Sequence, residues 1–370
     1  MKKLSLYVVF CCLITSLQAQ SIEGTVYDDK TKEPITGVVV YLNGTSIITT
    51  SDQTGHFKLL VENEINTTLV FSHLSYEPLV INNPFKLDET SFFLKEKQYT
   101  LSEVTVIADR YSRADKLKVF KEQFLGKSAA GKSCIIQNEE VLVLNYDNDT
   151  YTLSGYAVSP LIIENKYLAY QIHFDLQSFT IQYSKNTLNT NRATIVSYKG
   201  NSSFIDQNPN STLYARRRGE VYLRSSQYFW KNFVEQTLTE AKFKTFHGFK
   251  MVEAVDGEIV TGYQTMELDK YFDISDLPPQ KVVSILPETN ISRTHISVQE
   301  GTIYGVIRVL FNNKFSSEVV FLTDRFLVDS YGNPNTIEEI IFFGEMGKQR
   351  LGELLPQNYI YNPQLFPMLK

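Results

Sequence analysis

The first hundred residues divide into short apolar runs separated by turn-forming residues. In 57–61 the phenylalanine, leucine and valine that stand two residues apart share one face of a strand, because strand side chains alternate between faces. The run 38–42 divides between two faces in the same way, and 69–71 and 92–94 add further strands. Strands this short, with turns between them, predict a small antiparallel β-sandwich.

One turn of this sandwich has a specific signal. Asn43 and Gly44 follow the strand at 38–42, and this pair tolerates the positive φ that both central residues of a type I′ turn require. The pair therefore predicts a hairpin of that type, with 45–50 as its second strand.

After residue 110 the pattern changes to that of a helix. Phe120 and Phe124 share one helical face, and Ser112 precedes Asp115 by three residues, as in a capping pair at a helix start. Gly126 is placed to end the helix in the left-handed conformation. We therefore expect the second region to open with this helix.

The rest of the second region is predicted to be β-rich. Strands are expected at 134–137, 141–146, 151–158, 161–164 and 167–183, helices at 211–224 and 225–238, and β-structure again from 242 onward. The predicted fold class is mainly β, with an antiparallel sandwich followed by a larger α+β domain that has few helices.

The extreme N-terminus resembles a secretory signal. Lys2 and Lys3 precede an apolar run over 4–14, and a small residue, Ala19, ends the segment. The apolar run is too short to cross a bilayer as a helix of about 20 residues, so we expect cleavage after Ala19 or Gln20. The predicted organisation is a signal peptide at 1–19, a sandwich at 20–96, a connecting strand and linker at 97–113 and a β-rich domain at 114–370.

Cleavage changes the charge and the cysteine content. Removing Lys2 and Lys3 from 36 basic residues leaves 34 against 41 acidic ones, so the chain lacks the positive field that attracts nucleic acid. Only Cys134 survives, which leaves no intramolecular disulfide. No later apolar run is long enough for a transmembrane span.

The N-terminal segments resemble a known domain. They are G-T-V-Y-D (24–28), E-P-I-T-G-V-V-V (33–40), N-G-T (43–45), S-D-Q-T-G-H-F (51–57) and L-V-F-S-H-L-S-Y (69–76). Together they resemble the carboxypeptidase regulatory-like domain, a transthyretin-like β-sandwich at the N-terminus of many exported Bacteroidetes envelope proteins. Ser75 departs from the pattern, where the family usually has glycine.

The second region resembles the uncharacterised C-terminal domain of proteins that carry this regulatory-like domain. The resemblance rests on V-F-K-E-Q-F-L-G (119–126), C-I-I-Q-N (134–138), P-L-I-I-E-N-K-Y-L-A-Y-Q-I (160–172), Y-A-R-R-R-G-E-V-Y (214–222) and R-L-G-E-L-L-P-Q-N-Y (350–359). It implies an exported envelope protein of the Bacteroidetes and carries over no reaction and no catalytic residue.

Tests for catalytic motifs are negative. A zinc carboxypeptidase needs a glutamate three residues from a histidine, and none of the five histidines has one at that spacing. No nucleophile elbow, phosphate loop or dinucleotide-binding glycine pattern occurs. Cys134 begins an alternating strand, which favours a buried small side chain over a nucleophile. We predict no catalytic residue, no metal and no cofactor.

The strongest binding candidates are Arg216, Arg217 and Arg218, with Tyr214 and Tyr222 beside them. Guanidinium forks next to an aromatic wall suit an anionic or sugar-bearing ligand. The alternative is internal salt bridging, in which the arginines pair with nearby acids and their stems cover apolar surface.

The sequence therefore predicts a non-enzymatic protein of the periplasm or outer membrane that binds an envelope protein or polysaccharide. One alternative is an envelope glycan or peptide hydrolase, because carboxylates from distant strands leave no local motif. The other is a glycan-binding module with exposed aromatic side chains, which requires Trp230 to face solvent.

Overall fold

The N-terminal body is a β-sandwich in which the predicted alternation decides what is buried. The computed structural model describes residues 20–97, 110–247, 268–277, 279–286 and 303–364. The strands of the sandwich are β1 (Gln20–Asp28), β2 (Val39–Leu42), β3 (Ile48–Thr50), β4 (His56–Val61), β5 (Leu69–His73), β6 (Tyr76–Ile81) and β7 (Ser91–Leu94).

Two sheets form this sandwich, in the orders β4-β1-β7 and β3-β2-β5-β6. All neighbours are antiparallel except β1 and β7, which run parallel. Phe57, Phe71 and Phe92 meet between the sheets with ring centroids 4.6 to 5.7 Å apart. These rings come from the strands predicted at 57–61, 69–71 and 92–94, so the predicted faces are confirmed.

The predicted hairpin forms, but its turn is of another type. β2 and β3 pair antiparallel, and Thr45 N–H donates to Leu42 O across the turn. Gly44 has a φ of 73°, whereas Asn43 is not among the residues with positive φ. Positive φ at the second central position alone is the pattern of a type II turn. The type I′ prediction is wrong because tertiary contacts hold Asn43, whose Oδ1 accepts from Ser202 N–H.

The second region opens with the predicted helix and continues with strands. Its helices are α1 (Arg113–Phe124), α2 (Ala129–Lys132), α3 (Thr212–Tyr222), α4 (Ser226–Val234) and α5 (Gly344–Gly347). Its strands are β8 (Cys134–Ile136), β9 (Leu142–Asp147), β10 (Thr152–Ala157), β11 (Leu161–Asn165), β12 (Tyr170–Tyr183), β13 (Ala193–Asp206), β14 (Phe243–His247), β15 (Phe272–Leu277), β16 (Gln280–Ile285), β17 (Gly305–Phe311), β18 (Phe315–Phe321), β19 (Arg325–Val328) and β20 (Ile340–Phe343). Short 3₁₀ turns occur at Pro84–Lys86, Glu139–Val141, Thr190–Arg192, Leu268–Lys270, Ile337–Glu339 and Leu351–Glu353.

The start of α1 follows the sequence signal closely. Ser112 Oγ accepts the N–H of Asp115 at 3.1 Å, and Gly126 follows the helix with a φ of 100°. Phe120 and Phe124 are fully buried on the face that packs against β12. Helix and caps are therefore confirmed.

The second region contains two hydrophobic cores. In the first, α1 covers a sheet in the order β8-β11-β12-β10-β9, with β13 along the other side of β12. In the second, α4 packs on the sheets β14-β17-β18-β20 and β15-β16-β19. The predicted fold class, mainly β with few helices, is confirmed. Among the described residues, no helix is both long and apolar enough to cross a membrane.

Candidate binding site between the sandwich and the second region

Arg218 of the predicted arginine cluster is a structural residue. Its guanidinium forms a bidentate ion pair with Asp206, at 2.6 and 2.7 Å. It also donates to the carbonyls of Leu168 and Ala169, at 2.8 and 3.2 Å, and lies 4.0 Å from the ring centroid of Tyr170. Since only 5% of Arg218 is exposed, its donors face the protein and α3 is fixed to the loop before β12.

The other members of the cluster point in different directions. Arg216 is exposed and pairs with Glu220 one turn along the helix. Arg217 lies over the ring of Tyr167, at 4.5 Å, and within 5.7 Å of the ring of Tyr214. The cluster therefore does not converge on a shared position, and internal pairing accounts for the contacts of these three arginines.

Two aromatic candidates lie inside the second core. Tyr222 is buried, and its ring centroid is 5.3 to 5.6 Å from those of Tyr228, Tyr359 and Tyr361. Trp230 has an exposed fraction of 0%. The version of the glycan-binding prediction that requires Trp230 to face solvent is therefore wrong.

Cys134 is poorly suited to nucleophilic chemistry. It is partly buried, its Sγ lies 3.4 Å from Ala130 O, and burial raises the pKa of the thiol to about 12. The reactive thiolate is thus scarce near neutral pH. Among the described residues, no three His, Cys, Asp or Glu side chains are grouped as metal ligands. His295 lies outside those residues, as does the side chain of His247.

The sandwich and the second region are joined by the loop after β19. Tyr331, from this loop, is buried in the core of the sandwich. Asp329 accepts the backbone N–H of Asn66 at 2.9 Å, and the Asn66 side chain donates to the carbonyls of Leu327 and Asn333. We call residues 329–333 the latch loop, because it holds the two bodies together by both apolar and polar contacts.

A second junction uses the edge of β13. Gly44 N–H donates to Ser202 O at 2.7 Å, and Phe204 N–H donates to Thr45 O at 2.9 Å. The sandwich thereby pairs with the end of β13 as a short parallel neighbour. Gln357 N–H donates to Gly44 O at 2.8 Å, so the C-terminal segment closes the same junction.

A cleft of about 860 Å³ opens beside these junctions. Its sandwich wall consists of 43–44, 64–68 and 82–86, and its opposite wall includes 225–227, 332–335 and 353–355. This volume lies within the range of ligand sites. Because both bodies contribute lining residues, the cleft forms only when the two bodies are in contact.

The chemistry of the cleft is polar and mostly uncharged. Ten of its 31 lining residues are asparagine or glutamine, and four are charged. Some amides, such as those of Asn66 and Gln227, are engaged in hydrogen bonds that hold the walls. Among the described residues, no hydrogen bond engages the side chains of Asn82, Asn83 or Gln349.

Three lining side chains carry an oxygen that is shielded from solvent and meets no hydrogen-bond donor. They are Thr68 Oγ1, Gln280 Oε1 and Gln357 Oε1. A buried polar atom without a partner costs about 1–3 kcal/mol, and native structures contain few of them. All three residues are only partly buried and line the cleft, although the oxygens themselves are shielded.

The comparison with known families bears on one wall of this cleft. Residues 22–106 match the family model of the CarboxypepD_reg-like domain. The sandwich is therefore similar to the carboxypeptidase regulatory-like domain, and we call it the regulatory-like domain. No curated protein is similar enough to the chain to count as a relative. The family description names a type of domain and no reaction, so it assigns no catalytic residue to the regulatory-like domain.

The match extends past residue 96, the predicted end of the sandwich, to residue 106. Residues 98–109, most of the predicted connecting strand and linker at 97–113, lie outside the described residues. The boundary between the regulatory-like domain and the second region therefore stays a prediction.

A smaller cavity of about 520 Å³ lies on the other side of Glu353, which lines both cavities. Burial raises the pKa of Glu353, and the nearby carboxylate of Glu345 adds to the increase, whereas Ser128 and Arg224 act against it. Glu345 is held by Arg224, whose Nη1 donates to it at 3.1 Å. The cavity thus places a carboxyl with a raised pKa near a carboxylate paired with arginine.

Sequence analysis did not find the cleft, because its residues come from distant parts of the chain. Asn83, Gln280 and Gln357 carry no shared motif and no regular spacing. The only local signal was the set of turn-forming residues after β6, around Asn82 and Asn83, which also suits an ordinary loop.

Proposed function

We propose that this protein is an exported envelope protein of the Bacteroidetes whose role is binding and not catalysis. In this proposal the cleft between the regulatory-like domain and the second region is its binding site. The signal-like N-terminus supports export. The regulatory-like domain supports it too, because the family that it resembles occurs in many exported envelope proteins. The ligand is an envelope component, either a protein or a polysaccharide.

The observation that carries the proposal is the lining of the cleft. Thr68, Gln280 and Gln357, each with an unpaired side-chain oxygen, line a cavity formed by two bodies. Asparagine and glutamine amides donate and accept hydrogen bonds but do not titrate near neutral pH. The amides that are the most frequent polar groups of this lining suit recognition, because general acid–base catalysis requires groups that exchange protons.

Photo-crosslinking tests this proposal. A photoreactive residue in place of Asn83, on the rim of the regulatory-like domain, is compared with one in place of Gln207, which is exposed outside the cleft. Each purified protein is irradiated with envelope material from the source organism. We expect adducts at position 83 that are absent at position 207.

Equal labelling at the two positions, or no adduct at position 83, would contradict binding in the cleft.

Export is tested separately by mass spectrometry of the mature N-terminus in fractionated cells. We expect the chain to begin at Gln20 or Ser21 in the envelope fraction, and an intact Met1 in the cytoplasm would contradict export.

A second candidate function, hydrolysis, is favoured by Glu353 and Glu345. A carboxyl with a raised pKa near a second carboxylate is an arrangement that divides acid and base roles in glycoside hydrolysis. This candidate predicts that envelope glycans incubated with the protein release new reducing ends and that Glu353→Gln abolishes the release. Equal rates with the wild type and Glu353→Gln would exclude this role for Glu353.

A further inference from the structure

We infer that the cleft binds a neutral oligosaccharide. The inference rests on the proposed binding function and adds the chemical class of the ligand. It follows from which hydrogen-bonding groups the cleft leaves unpaired, from its charge and from its one accessible aromatic ring. It also follows from the way in which the nearby strand edge is already occupied.

The unpaired atoms favour a ligand that is rich in donors. Thr68 Oγ1, Gln280 Oε1 and Gln357 Oε1 all accept hydrogen bonds, and they come from separate segments of the chain. Sugar hydroxyl groups donate to such scattered acceptors because each O–H rotates to suit its own partner. The same hydroxyls also accept from amide groups.

The rim supplies those amide groups together with an apolar surface. Asn82 and Asn83 are exposed and line the cleft, and Pro84 separates them from Phe85. The ring of Phe85 packs partly on the sandwich core and also lines the cleft. An aromatic ring beside free amides matches a sugar, whose C–H face is apolar and whose edge carries hydroxyl groups.

The charge of the lining disfavours an anionic polymer. Its charged side chains are Glu64, Glu338, Glu353 and Lys86, three acidic and one basic. A phosphate- or carboxylate-bearing ligand would meet net repulsion, and it would find no guanidinium fork within the lining. A neutral ligand avoids both costs.

A peptide ligand is disfavoured by the state of one strand edge at the cleft, that of β13. Extended peptides are commonly bound by adding a strand to a free sheet edge. Where β13 reaches the cleft, at Ser202 and Phe204, the backbone groups that face outward already pair with Gly44 and Thr45 of the regulatory-like domain. The unpaired groups of the cleft are instead side-chain oxygens.

Calorimetric titration of the mature chain tests the inference. The probes are neutral oligosaccharides built from glucose, mannose, xylose or N-acetylglucosamine. We expect at least one of them to bind, with affinity reduced about tenfold by Gln280→Ala on one wall and by Asn83→Ala on the other, since each removes hydrogen bonds to the ligand. Gln207→Ala, an exposed glutamine outside the cleft, should leave the affinity unchanged.

Two results would overturn the inference. One is the absence of binding by every oligosaccharide to a mature chain that is folded by circular dichroism. The other is binding that both cleft variants retain at full affinity, which would place the sugar elsewhere.

Mass spectrometry of the adduct at position 83 separates this inference from the proposed function. A peptide adduct would retain binding in the cleft and overturn the sugar, whereas a loss of every adduct would overturn both.

Discussion

Arg218 shows how one buried side chain can connect three parts of the chain. Its guanidinium fork contacts Asp206 at the end of β13, two carbonyls in the loop before β12, and the face of Tyr170. A planar group with five donors satisfies all of these partners at once, which a lysine cannot do. The arginine cluster therefore contributes its most buried member to stability.

The contacts of Arg218 predict a large contribution to stability. Arg218→Ala should lower the free energy of unfolding by about 3–5 kcal/mol, because it leaves Asp206 and two carbonyls without their partner. Arg216→Ala is the matched control. It removes an exposed pair with Glu220 and should change stability by less than about 1 kcal/mol. Urea denaturation measures both, and similar losses in the two variants would refute the structural role.

Asp329, in the latch loop, gives a pH-dependent prediction. Burial raises the pKa of this carboxyl, although N–H groups of Asn333 and Asn66 act in the opposite direction. A carboxyl with a raised pKa binds protons more tightly in the folded protein, so its contribution to stability is gained as pH falls and lost as pH rises.

We expect the stability of the wild type relative to Asp329→Asn to increase as pH is lowered from about 7 toward about 4, the ordinary carboxyl range. Urea denaturation of both proteins across this range gives the difference in the free energy of unfolding. A difference that does not change with pH would show that Asp329 does not titrate in this way.

Among the elements, α1 depends on local signals and β13 on tertiary ones. Ser112 caps α1, and Gly126 follows it with the positive φ expected of a C-terminal glycine. β13 was not predicted, although it pairs with β12 along nearly its whole length. Its outer positions are polar or half-exposed, so its sequence lacks the clear alternation that identified the other strands.

The cap of α1 gives a prediction at this scale. Ser112→Ala should reduce the free energy of unfolding by about 1 kcal/mol, because the N–H of Asp115 loses its acceptor. Ser197→Ala is a matched control at an exposed position of β13 and should have little effect. Thermal denaturation of the two variants measures the contrast, and equal midpoints would argue against the cap.

The whole molecule is held together by the latch loop and by the edge of β13. Tyr331 places its ring in the core of the regulatory-like domain, although it belongs to a loop of the second region. Gly332 in the same loop has a φ of 93°, and an added Cβ would lie 2.2 Å from Gln227 O. The loop is therefore fixed on both sides, and the cleft beside it depends on this fixation.

Removing the ring of Tyr331 should weaken the docking of the two bodies. We expect Tyr331→Ala to cost about 3 kcal/mol, as for other large buried side chains, and to separate the unfolding of the regulatory-like domain from that of the second region. Differential scanning calorimetry should then show two transitions. Tyr156→Ala, at an exposed tyrosine, should keep the wild-type profile. A single transition in Tyr331→Ala would contradict the role of Tyr331 in coupling the unfolding of the two bodies.

By itself, the sequence determined the features that depend on near neighbours. Apolar positions two residues apart produced the core of the sandwich, and the serine and glycine around α1 marked its ends. These signals are reliable because the interactions behind them lie within one strand, one turn or one helix. The regulatory-like domain was recognisable for the same reason, since its turn residues are spaced along a continuous segment.

Only the tertiary structure decided the type of the turn at Gly44, the partners of the Arg218 side chain and the existence of the cleft. Each depends on partners far away in sequence: Ser202 for the turn, Leu168 and Ala169 for the arginine. The cleft joins loops from both bodies, and three of its side chains carry an oxygen without a partner. Hydrogen bonding over such distances leaves no periodic trace in the sequence, so the cleft is apparent only in the folded chain.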